Sequence, residues 1–359
     1  MIRSTIFIIL FIYTMLPASG QVVSQPFEFQ FENKTLRGLI EKPLQIKSRA
    51  VVLIIPGYGK TNFVEGKWFS RLRNRLVSYG LTVCVWDKMG CGKSDGTFDI
   101  NQPVGNSAEE ALAAIREIKK LKIPGSNKIG LWGVSRAGWI CPLINQQFPV
   151  DFWISVSGTD DKENFGYLIK SNLLIVGKSE QEVDKLYQAW MKGHEIFCTQ
   201  GSYEDCLRAV KPLMQDSTCR KLFGYKDESE PTKEGKKKYL QNQKSYTRKG
   251  YFDVKSGLWV CIKDFDKVLL KVNCPVLALF GENDSQVDWR KTKKLYEQTL
   301  GKRTNATLTI KTFKNCNHNL QVCRTCAYKE DLSALRWQAC DGYYDAMKVW
   351  LKKHKFIPE

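Results

Sequence analysis

Several things are scarce in this chain of 359 residues, and each scarcity excludes a class of protein. Beyond residue 20 no apolar run is long enough to cross a bilayer, which needs about twenty residues, so the sequence predicts a mature form without a membrane span. There is no internal repeat, which rules out solenoids and propellers. Cys323-Arg-Thr-Cys326 has no second CxxC to complete a zinc site. In Asp87-Lys-Met-Gly-Cys-Gly-Lys-Ser94 a single residue separates the glycines, where a phosphate loop needs four, so this stretch reads as a turn after a strand. Zinc-finger spacing, aromatic RNA-binding signatures and basic helices are absent as well. Acidic residues are outnumbered, 37 against 55 basic, but the lysines are spread along the chain with one local cluster at Lys233 to Lys238. A solvated basic face fits that spread better than specific nucleic-acid binding. Binding of a polyanion remains the non-enzymatic alternative.

Histidine is the rarest relevant residue, with three copies, and any chemistry that needs an imidazole has three candidates. His354 stands among Lys352, Lys353 and Lys355 and reads as solvent-exposed. His194 follows Gly193 in a helical block with no strand end near it. His318 follows directly on an apolar run, in Phe313-Lys-Asn-Cys-Asn-His-Asn-Leu320.

What is present begins with an export pattern: Arg3, the apolar run Ile6 to Leu16, and Ala18 and Gly20 preceding a cut before Gln21. The expected product is secreted or periplasmic. Twelve cysteines in an exported chain favour disulfides, with Cys198, Cys206, Cys219 and Cys261 in the middle and Cys316, Cys323, Cys326 and Cys340 near the end as the expected partners. Cys84 and Cys274 sit in or beside apolar runs and read as small buried hydrophobes. Asn33 and Asn305 are glycosylation acceptors if the host is eukaryotic.

From Ala50 to Val156 continuous apolar runs alternate with helical patterns. The runs are Ala50 to Ile55, Leu81 to Trp86, Lys128 to Trp132 and Asp151 to Val156; the helices are Gly66 to Ser78, Ser107 to Leu121 and Arg136 to Gln147. This order predicts an α/β fold, a mostly parallel central sheet covered by helices on both faces, with Phe27 to Phe31 and Leu36 to Ile40 at its edge. Between Gly158 and Leu269 the alternation stops. Helical patterns such as Glu180 to Gly193 and Tyr203 to Met214 follow one another, and the lysine-rich stretch Tyr225 to Lys249 reads as mobile. The sheet pattern resumes with Pro275 to Phe280, Trp289 to Leu300, Ala306 to Phe313 and Tyr343 to Lys353. The expected organisation is a signal segment 1–20, a core in two parts, 21–157 and 270–359, and a helical cap inserted at 158–269. Tyr167, Trp190, Phe197, Phe223, Tyr251, Phe252 and Trp259 can line a pocket under the cap or form the cap's own core.

The chemistry centres on Gly133-Val-Ser-Arg-Ala137. A serine at a sharp strand-to-helix bend exposes its hydroxyl, and small neighbours two residues either side let the chain pass. Such a hydroxyl needs a base, for which His318 is the best placed, and the base needs a carboxylate. Asp284 leaves an apolar run four residues after Phe280; Glu282 and Asp288 compete with it. The chain order Ser135, Asp284, His318 is one of three known for this constellation.

With the elbow followed by Trp139 and Pro142, the loop Asp87 to Ser94, and Cys274-Pro-Val-Leu-Ala-Leu-Phe-Gly-Glu-Asn-Asp-Ser-Gln-Val287, the chain resembles the α/β-hydrolases, in particular exported bacterial serine hydrolases of the esterase and serine-aminopeptidase-like type. The resemblance covers nearly all of the mature sequence. It implies Ser135 as nucleophile, Asp284 as acid and His318 as base. It also implies an oxyanion hole from the backbone N–H of Arg136 and, in the loop Pro56-Gly-Tyr-Gly59, that of Tyr58. Many relatives have His-Gly where this chain has Pro56-Gly57. No cofactor is implied. The expected function is hydrolysis of carboxylic esters, the expected partner a small-molecule ester or short peptide, with a serine peptidase or an acyl thioesterase as alternatives.

Overall fold

The computed structural model describes residues 22–66, 68–226 and 231–359, so the expected signal segment lies outside the described residues. The first part of the chain runs β1 (Val22–Phe31), β2 (Lys34–Pro43), β3 (Val51–Ile55), α1 (Ser70–Ser78), β4 (Thr82–Trp86), α2 (Val104–Leu121), β5 (Ile129–Val134), α3 (Ala137–Gln147) and β6 (Phe152–Val156). A helical block follows: α4 (Phe165–Ile175), α5 (Glu180–Cys198), α6 (Tyr203–Gln215), α7 (Ser217–Phe223) and α8 (Lys233–Thr247), closed by the hairpin β7 (Tyr251–Asp253) and β8 (Leu258–Val260). The chain then returns through α9 (Phe265–Leu270), β9 (Val276–Gly281), α10 (Trp289–Gln298), β10 (Leu308–Phe313) and α11 (Tyr343–Lys353).

Eight strands form one sheet in the order β1-β2-β4-β3-β5-β6-β9-β10. Only β1 and β2 run antiparallel to their neighbours; every pairing from β4 to β10 is parallel. In β3, β4, β5, β6 and β9 every residue is buried, which is why these strands read as unbroken apolar runs. One face packs on α2, α3 and α9, through Leu112, Ile115, Ile140, Phe265 and Leu269. The other packs on α1 and α11, through Leu72, Leu76, Met347 and Trp350.

The inserted block has its own apolar centre, where Ile169, Leu173, Leu186, Trp190 and Leu213 pack together. Two expectations fail here. The lysine-rich stretch is largely the helix α8, because Tyr239, Gln243 and Tyr246 fall on one face and are buried, while its lysines stay outside and in part pair with acids, as Lys236 does with Glu204. The four cysteines expected to bridge in this region, Cys198, Cys206, Cys219 and Cys261, are free thiols. Cys198 lies one helical turn from His194 and Cys219 is fully enclosed, so they fill space as small hydrophobes. The insert also contains the short hairpin, which three-residue strands leave no periodicity to reveal. The C-terminal cysteines do pair, Cys316 with Cys340 and Cys323 with Cys326. Among the described residues no helix is long and apolar enough to cross a membrane.

Candidate active site

Ser135 follows the last residue of β5 and precedes α3 by one residue, with φ at +56°, in the left-handed region that costs a non-glycine residue energy. The bend is held by Ser135 N–H donating to Val156 O at 2.9 Å and Gly138 N–H to Ser135 O at 2.7 Å. Gly133 is required by the crossing that follows: a Cβ there would lie 2.7 Å from Cys141 Sγ and 2.9 Å from the Ala137 methyl. The small residues thus let α3 turn back over the strand, and the serine side chain is left at the carboxyl edge of the sheet.

The other two residues arrive from the next strands. Asp284 sits three residues beyond β9 and His318 five beyond β10, the neighbouring parallel strand. His318 Nδ1 and Asp284 Oδ2 are 2.7 Å apart, and both side chains are almost fully buried. The second carboxylate oxygen accepts from the N–H groups of Gln286 and Val287 at 2.8 and 3.0 Å. This fixes the carboxylate plane and thereby the imidazole, with Nδ1 turned to the acid and Nε2 left for another partner. The Cys316–Cys340 bridge ties the histidine loop to the start of α11, and the bond from Asn283 N–H to Cys316 O, 3.1 Å, ties it to the acid loop. Of the competing carboxylates, Glu282 accepts from the Thr312 hydroxyl and Asp288 stands just before α10, without a capping bond from its side chain. The remaining histidines are elsewhere: His194 stacks on Trp190 and His354 on Phe356.

The loop Pro56 to Gly59 leaves β3 and runs against the elbow so closely that a Cβ at Gly57 would stand 3.1 Å from Ser135 Cβ. Tyr58 and Arg136 stand together, the Arg136 guanidinium 5.2 Å from the Tyr58 ring centre. Among the described residues none accepts a hydrogen bond from the N–H of Tyr58 or of Arg136. Ser135, His318 and Tyr58 line one cavity of about 430 Å³ between the sheet edge and the insert, whose Phe165, Leu168 and Tyr246 form its far wall.

The fold has counterparts among solved structures. An esterase from Pyrococcus furiosus aligns over 93% of this chain and 92% of its own, at 14% identity and a TM-score of 0.51. The ferulic acid complex of Est1E from Butyrivibrio proteoclasticus aligns over 92% and 99%, at 16% identity and 0.50. The proline iminopeptidase of Mycobacterium smegmatis aligns over 92% and 98%, at 13% identity and 0.51. The fold is that of the α/β-hydrolases. No protein-family model and no curated protein matches the chain in sequence. The expected mostly parallel sheet flanked by helices is what the structure shows.

None of the seven aromatic residues offered as pocket lining reaches the cavity. Trp190 and Trp259 are buried in the insert's own clusters, Phe197, Phe223 and Phe252 pack against those clusters, Tyr251 is exposed, and Tyr167 donates to Asp284 O at 3.1 Å. Sequence reasoning also missed a buried cluster at the cavity wall. Lys249 Nζ donates to both oxygens of Glu163, at 2.8 and 2.7 Å, and to Tyr58 Oη at 3.2 Å; Tyr58 and Tyr246 donate their hydroxyls to the same carboxylate. The ion pair is 2–3% exposed. Lys249 is a lysine among many in sequence, and nothing there marks it. Asp160, on the loop after β6, carries a carboxyl pushed up to about 6 by burial, with Asp161 and Asp288 adding to the rise.

Proposed function

We propose that this chain is an exported serine hydrolase that cleaves carboxylic esters, with Ser135 as nucleophile, His318 as base and Asp284 as the acid that orients it. The observation that carries the reading is the 2.7 Å contact between His318 and Asp284 in the cavity that Ser135 also lines. Ser135 Oγ attacks the ester carbonyl carbon while His318 Nε2 takes its proton. The tetrahedral oxyanion is held by the N–H groups of Tyr58 and Arg136. The intermediate collapses, breaking the C–O bond to the alcohol, and His318 returns the proton to that leaving oxygen. Water then repeats the sequence on the acyl-serine, releasing the acid and restoring the serine hydroxyl. The leaving alcohol demands less of the general acid than an amine does, which favours esters over amides. Export is supported by the N-terminal sequence pattern and by the two disulfides of the C-terminal region.

The test is a panel of p-nitrophenyl esters, aminoacyl anilides and acyl thioesters on purified protein, beside labelling by a fluorophosphonate. The expected result is ester turnover and labelling, both lost on Ser135→Ala by about a thousandfold or more with an unchanged unfolding temperature. Turnover retained by that variant overturns the assignment; faster anilide or thioester cleavage replaces the substrate class.

A further inference from the structure

We propose that Lys88 is a positioning residue, whose ammonium holds the turn Gly57-Tyr58-Gly59 so that the Tyr58 N–H faces the reacting carbonyl oxygen beside Ser135. The inference rests on the esterase reading above and identifies what prepares its oxyanion hole. Lys88 Nζ donates to Gly57 O at 2.6 Å and to Gly59 O at 3.0 Å. Gly57 C=O and Tyr58 N–H belong to one peptide unit, which is planar and, like every described peptide here, trans. The two groups therefore point in opposite directions. Pulling the carbonyl toward Lys88 turns the N–H away from it, and that N–H has no acceptor among the described residues.

The strap has a fixed anchor. Lys88 N–H donates to Thr61 Oγ1 at 2.8 Å, and the fully buried Asp87 accepts from Phe63 N–H at 2.6 Å and Lys93 N–H at 3.0 Å. The segment after β4 is thus bound at two points to the loop after β3, and the bond from Lys93 N–H fixes the Asp87 carboxylate within its own turn. From the other side Tyr58 is held through its hydroxyl by Glu163 and Lys249, and Arg136 covers its ring. The tyrosine ring and its peptide are restrained independently, one by the insert and one by Lys88. This gives the turn Asp87 to Ser94, which resembles a phosphate loop only in composition, a role in the site.

A surface lysine would spend its charge in water. Lys88 is half-buried, and burial first, then the Arg136 charge, brings its ammonium down to about 8; Glu110 and Cys91 face it too and act in the opposite sense. Above that pH the charge-assisted bonds to the two carbonyls weaken, and the Tyr58 N–H loses its aim.

Steady-state kinetics of Lys88→Met and Lys88→Arg on p-nitrophenyl acetate between pH 6 and pH 10 test this. Loss of one oxyanion donor costs about a hundred- to a thousandfold in kcat. Lys88→Met is expected to lower kcat by about thirty- to a hundredfold, with KM within about threefold and the unfolding temperature little changed. The wild type is expected to lose kcat above about pH 8. That limb should be absent in both variants, and Lys88→Arg should recover a large part of the rate. A kcat within threefold of wild type in Lys88→Met, or an unshifted alkaline limb in Lys88→Arg, overturns the proposal, and the second comparison decides it if the methionine variant does not fold. Wild-type protein inert to esters and to the fluorophosphonate fails the esterase reading instead.

Discussion

The core and the insert of this molecule start their helices in different ways. All five helices of the insert begin with a side chain that caps them: Asn164, Ser179, Ser202, Asp216 and Thr232 each accept from a backbone N–H in the first turn. None of α1, α2, α3, α9, α10 and α11 in the core has such a cap. Core helices are fixed by the sheet beneath them, which dictates where each must begin and end. Insert helices have a smaller apolar centre and take more of their definition from local hydrogen bonds. The site joins the two regimes. Its proposed acid, base and nucleophile stand on strand ends of the core, whereas its far wall belongs to the insert, whose buried pair of Lys249 and Glu163 reaches the core loop through the Tyr58 hydroxyl.

The sharpest test of how that wall is held is Lys249→Met. It leaves the Glu163 carboxylate buried without its cation and is expected to cost about 3–5 kcal/mol in denaturant unfolding. Combining it with Glu163→Leu should recover most of the loss; if the double variant is as unstable as the single, the loss does not come from an unpaired buried carboxylate. Next in size is the Cys316–Cys340 bridge, which closes a separation of 24 residues. Replacing both cysteines by serine should cost about 3 kcal/mol, and a reductant should loosen the histidine loop while leaving the insert, with its free thiols, as it was.

Asp160 gives a smaller, pH-dependent effect. Its carboxyl titrates near 3.8 when unfolded and at about 6 when folded, so between these values the folded state holds the proton longer. Stability therefore falls as pH rises through that window and stays lower above it. Asp160→Asn should raise stability by about 1–2 kcal/mol at pH 8 and change it little below pH 4, read from urea melts at both. The smallest expected change is about 1 kcal/mol for Ser179→Ala, which removes the capping box of α5. Equal losses from alanine at Ser107, which caps no helix, would erase the contrast between the regions.

Much of the core was legible because buried parallel strands need continuous apolar runs. β3, β4, β5, β6 and β9 were found within about two residues of their ends for that reason. Ser135, which lines one cavity with His318, and Asp284, which contacts His318, were legible because each follows such a strand, while His318 follows the half-buried neighbouring strand β10, so their placement reduces to strand order. The insert was read less well. α4 went unread, α8 read as mobile because lysine outweighs its narrow apolar stripe, and four cysteines were given partners they do not have. A thiol's neighbours depend on helix packing, about which the one-dimensional pattern is silent.

The sequence by itself determined a parallel sheet with its helices, an interrupting helical block, and a strained serine at a strand end, since periodicity and small residues act within a few positions of the chain. The tertiary structure alone decided which lysines count. Lys88 and Lys249 differ in no local feature from dozens of others. Their carbonyl and carboxylate partners lie about thirty and eighty-six residues away, and only folding brings such groups within reach.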